Sequence, residues 1–130
     1  MKEALVVACM MIAVSANAQA QGTSIHNRYG ESGSHFALSA SQPFVYEATI
    51  SGFTAPYGVQ LEVYHNGMLK HMDQVQVQDA PPMFVFHSPV EMSTWNLRSG
   101  DVVTFVLRVI DPATGGTLAS HCLHGEVGGP

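Results

Sequence analysis

Charge and cysteine are both scarce in this sequence. Only 12% of its 130 residues are Asp, Glu, Lys or Arg, five basic against ten acidic, where a soluble domain usually carries about 25%. The basic residues, Lys2, Arg28, Lys70, Arg98 and Arg108, are scattered, and the net charge is −5. No phosphate-tracking patch can be drawn from them, which excludes electrostatic nucleic-acid binding. Long apolar runs are absent too. The longest, Ala4 to Val14, has eleven residues, well short of the roughly 20 that span a bilayer as a helix. Beyond that run no amphipathic helical period and no internal repeat is found. There is no Gly-x-Ser-x-Gly elbow, no His-Glu-x-x-His and no Gly-rich phosphate loop, so nothing points to an enzyme.

What is present begins with a leader. Lys2 supplies a positive start, Ala4 to Val14 an apolar centre, and Ser15 to Ala20 two overlapping A-x-A sites. This layout predicts a signal peptide over residues 1–18, cut after Ala18 or Ala20, and a periplasmic or extracellular protein. Val6-Val7-Ala8-Cys9 has the form of a lipobox, but the apolar stretch before Cys9 is too short for one. Cleavage removes Lys2 and Glu3 together and leaves the net charge at −5. It also removes Cys9, so Cys122 becomes the single thiol and no internal disulfide is expected. Such a thiol is buried, bridged to a second chain as a Cys122-linked dimer, or a metal ligand.

Residues 19–34 are rich in Gly, Ser, Asn and Gln and read as a flexible arm, with the further option of lying along a neighbour's sheet edge. From His35 turn signals recur about every 8 to 12 residues, which predicts a β-sandwich over residues 35–124 and an unpacked tail over 125–130. The organising stretch runs from Leu97 to Ile110. Val103, Phe105, Leu107 and Val109 fall on one face at period two, and Val102, Thr104, Val106, Arg108 and Ile110 on the other. Phe44 to Ser51 and Val59 to His65 alternate in the same way. Short strands are expected over Met83 to His87, ended by Pro89, and over Val90 to Leu97. Asn66-Gly67 predicts a two-residue hairpin turn.

That hairpin carries a conflict of register. A strict turn places Met68, Lys70 and Met72 on the Val59 face, yet the apolar residues further along are Val75 and Val77. An extra residue near Asp73 or Gln74, or a three-residue turn with a bulge, reconciles the two. Glu62 and Asp73 are near enough across the hairpin to be paired carboxylates, read as solvated. Met68, Met72, Met83 and Met92 read as core filling.

The expected fold class is therefore all-β, a single antiparallel sandwich of roughly seven or eight strands. Asp101-x-Val103-x-Phe105-x-Leu107 resembles the Asp-x-Ala-x-Tyr-x-Cys pattern at the strand F corner of immunoglobulin-like domains, with Phe105 in place of the tyrosine and Leu107 in place of the cysteine. The resemblance implies an immunoglobulin-like architecture and no particular ligand. Val102, Val106 and Ile110, with Tyr64 on its own strand's outward side, are apolar where a free sandwich shows polar groups. Together they form a candidate partner surface for a protein or a second copy.

Histidine supplies the remaining chemistry. In His121-Cys122-Leu123-His124 the two histidines point to opposite faces of an extended strand, while Cys122 and His124 share one. A thiolate with imidazole suits copper or zinc. His65-Asn66, followed by Cys122-x-His124, resembles the ligand layout of cupredoxins, which implies a copper site built from His65, Cys122 and His124. In that family two or more residues usually separate Cys and His and a Met follows, and neither holds here.

Overall fold

The computed structural model describes residues 23–79 and 83–128; the predicted signal peptide lies outside the described residues. Eight strands follow in chain order: β1 (Ser24–Asn27), β2 (His35–Leu38), β3 (Phe44–Ser51), β4 (Tyr57–His65), β5 (Met68–Val77), β6 (Met83–Val90), β7 (Val102–Ile110) and β8 (Thr117–Val127). They form two sheets, ordered β1-β3-β6 and β2-β8-β7-β4-β5. β2 runs parallel to β8, and the other pairings are antiparallel. Every regular element among the described residues is a strand, the all-β class that the period-two patterning predicts.

β7 lies between β4 and β8, and its predicted apolar face is the centre of the core. Val103, Phe105, Leu107 and Val109 are all fully buried. They meet Tyr46, Ala48 and Ile50 of β3 and Phe86 of β6 from the smaller sheet. Phe105 sits in a cluster of rings, its centroid 5.1 Å from Phe44, 5.6 Å from Tyr46 and 5.7 Å from Phe36. The Tyr46 hydroxyl accepts a hydrogen bond from Asn27 Nδ2 at 2.6 Å. That bond satisfies a phenol buried among apolar groups.

Four sequence expectations are revised. Ser24–Asn27, inside the stretch read as an arm, is strand β1 and pairs with β3 of its own chain. β6 continues through Pro89 to Val90, paired with Val45 and Phe44. It is an edge strand, where a missing N–H need not cost a ladder bond. Residues 91–101 are then a connection and not a strand. β8 runs past His124 to Val127, which is buried. A Cβ at Gly125 would lie 3.1 Å from Phe36 Cζ and 3.3 Å from Phe105 Cε1, so glycine is required there for close packing.

The hairpin resolves its conflict with a bulge nearer the turn than expected. Asn66 and Gly67 both have positive φ, 48° and 89°, and His65 pairs with Met68 and Tyr64 with Leu69. Then Val63 pairs with His71, so Lys70 is the extra residue. One inserted residue exchanges the two faces of everything beyond it. Val75 and Val77 turn toward the core, and Met72 comes to lie opposite outward-facing Glu62.

Candidate functional site

The outer face of the five-stranded sheet gathers most of the residues singled out in the sequence. Register places Tyr64 beside Thr104 and Thr104 beside His124, Glu62 beside Val106 and Val106 beside Cys122. This face is largely closed. Val106 and Cys122 are 2% exposed and form a small cluster with Tyr64 packed on it, while Val102, Ile110 and Tyr64 are half-buried. Residues 32–34 run on from β2 alongside β8: Ser32 Oγ accepts from the Cys122 amide, and the His124 amide donates to the Ser34 carbonyl at 3.0 Å.

Its polar groups are partnered within the sheet. Glu62, 8% exposed, has Arg108 Nη1 at 2.9 Å from its Oε1 and accepts from the Tyr64 hydroxyl at 3.1 Å on Oε2. His124 Nδ1 lies 3.2 Å from Thr104 Oγ1, and its ring stacks on His35 at 4.9 Å.

Cys122 and His124 share this face and His121 lies on the other, as alternation requires. His65, the third residue of the copper pattern, falls on the inner side of β4, opposite Val103. Its Nε2 is 2.9 Å from Asp101 Oδ2 and its ring stacks on Trp95. Asn66 locks the same corner: its Oδ1 accepts from the Val102 amide, and its own amide donates to the Val102 carbonyl. His65-Asn66 thus ties the hairpin tip to the start of β7, on the opposite face of the sheet from Cys122 and His124. Among the described residues no three His, Cys, Asp or Glu side chains converge as a metal site. Glu62 and Asp73 also separate, Glu62 outward and Asp73 inward opposite Leu61.

The exposed apolar residues lie elsewhere. Met68, Leu69 and Met72 on β5 and Met83 and Val85 on β6 are 43% to 60% exposed, and only Met92 of the four methionines is core filling. β5 and β6 are edge strands of different sheets, joined by a buried hydroxyl. Ser88 Oγ donates to Asp73 Oδ2 at 2.8 Å and accepts from His71 Nε2 at 3.1 Å. Sequence reading missed Met72 because its face depends on where the bulge sits. The signal was Val75 and Val77, which reach the core only if Met72 does not.

The histidines give stability a pH dependence. Burial holds His121 below the ordinary histidine value of 6.5, His26 adding and Glu31 and the Gly30 carbonyl opposing; burial, then the charge of His35, does the same to His124. For a histidine with a depressed folded pKa the unfolded chain binds more protons, so stability is complete above 6.5 and is lost as pH falls through the folded value. The His65 contact and the Arg98 amide hold Asp101 at about 2, against an ordinary 3.8, so its contribution is lost later, as pH falls from 3.8 toward 2. The urea midpoint is therefore expected to fall in two stages on acidification. His121→Gln with His124→Gln should flatten the first stage; an unchanged first stage would assign it to other groups.

No protein-family model matches the chain, and no curated protein matches it.

Proposed function

We propose that this chain is an exported, non-catalytic, immunoglobulin-like β-sandwich that serves as a binding or structural subunit, self-associating or docking on a larger periplasmic or cell-surface assembly. One observation carries the reading. Among the described residues, five of the six exposed large apolar side chains lie on β5 and β6, the edge strands on one side of the sandwich. Edge strands with unpaired backbone and apolar side chains are templates for pairing with another chain.

The strand order supports the immunoglobulin-like part of the reading. β1-β3-β6 corresponds to A-B-E, and β8-β7-β4-β5 to G-F-C with an added strand beside C. Ser88, beside His71 and Asp73, is not placed as a nucleophile: its hydroxyl is fully buried and gives its proton to Asp73, whereas a serine nucleophile needs an open oxygen and a base to take that proton.

The test is a photo-crosslinking amino acid placed at position 72 or 85 of the exported protein in its own envelope, with exposed Ala113 in the β7–β8 turn as control. Adducts heavier than the 13.9 kDa chain are expected at 72 or 85 and not at 113. No adduct at either edge would contradict the reading.

A further inference from the structure

We propose that β5 pairs antiparallel with β5 of a second copy, joining two five-stranded sheets into one across a two-fold axis; this rests on the subunit reading above. β5 is the longest edge strand, ten residues from Met68 to Val77, and contains neither proline nor glycine. Among the described residues only β4 pairs with it, on one side. The bulge at Lys70 bends the turn end, but from His71 to Val77 the register with β4 is unbroken, which leaves a regular edge for a partner strand.

The charges on β5 choose the occupant. Lys70 stands near its start and Asp79 just beyond its end, both exposed, while His71 and Asp73 turn inward onto Ser88. An antiparallel second copy brings the Lys70 end of each strand alongside the Asp79 end of the other. A parallel copy in register would oppose Lys70 with Lys70 and Asp79 with Asp79, and like charges directly opposite are destabilising. Leu69 and Met72, 45% and 53% exposed, then extend the outward surface of the joined sheet. A two-fold pairing uses the same edge on both chains and closes at the dimer. β6 offers no such self-complementarity: apart from His87 its side chains are neutral at any pH.

The purified, exported full chain is examined by sedimentation velocity over a range of concentrations. A dimer is expected, weakened by added salt because its charge pairs are exposed. Met72→Lys and Lys70→Glu should each raise the dimer dissociation constant by about tenfold or more, the first by putting a charged side chain in place of an apolar one on the joined edge and the second by setting like charge against the partner's acidic end. Val85→Lys, an equally exposed change on β6, should leave it unchanged. Circular dichroism of each variant checks that the fold is intact. A wild-type chain that stays monomeric, or a dimer lost with Val85→Lys and kept with Met72→Lys, overturns the pairing. Envelope crosslinks from position 72 or 85 to a different protein, with a monomeric purified chain, would leave the subunit reading standing and remove only the self-pairing.

Discussion

Phe105→Ala lowers the free energy of unfolding by about 3–5 kcal/mol, the range for deleting a large buried aromatic ring. Phe105 is fully buried in the middle of β7, the strand flanked on both sides by β4 and β8. Its ring touches partners from three other strands, Phe36 of β2, Phe44 and Tyr46 of β3, and the Gly125 position of β8. Close packing prevents those rings from collapsing into the space left behind, because Phe44 and Tyr46 are fixed by the ladder between β3 and β6. The measurement is the urea midpoint at constant slope. A loss below about 1 kcal/mol would mean that the ring cluster is not where the two sheets are joined.

Gly125→Val is expected to cost about 1–3 kcal/mol for the opposite reason, overpacking. Gly125 faces inward opposite Val103, and the three nearest atoms to a new Cβ, on Phe36, Leu38 and Phe105, lie at 3.1 to 3.3 Å. Two of these belong to β2, a four-residue strand whose ladder, among the described residues, is with β8 alone. The substitution therefore pushes β2 away from the sandwich first. Increased amide exchange at Phe36 and Leu38, ahead of any change at β7, is the expected signature. Gly128→Ala is the control, because nothing lies within 4 Å of its added Cβ; it should stay within about 0.5 kcal/mol of the parent.

How much of this was legible in the sequence depends on how local each feature is. The faces of β7, the Asn66-Gly67 turn and the opposite orientation of His121 and His124 follow from period two and turn chemistry. Each needs only neighbouring residues. The need for an extra residue in the hairpin was also legible, from Val75 and Val77. Its position at Lys70 was not, since any insertion between the turn and Val75 satisfies the same pattern. That position decides the surface: it sends Met72 outward and removes Asp73 from Glu62's side. β1 was hidden because four residues among Gly, Ser and Asn show no period, and it forms by pairing with β3 far along the chain. Of the residues expected to form a partner surface, Val106 is almost inaccessible and Val102, Ile110 and Tyr64 are half-buried, a degree of burial that period two alone does not reveal.

Native mass spectrometry of the exported, unreduced full chain tests most directly whether this sandwich is a subunit that works through its edge strands. One spectrum reads leader removal, subunit number, any bond through Cys122 and any bound metal. The expected result is a processed, metal-free chain in a non-covalent dimer that Met72→Lys dissociates. A processed monomer carrying one copper or zinc ion, lost on Cys122→Ser, would contradict it and move the site to Cys122 and His124.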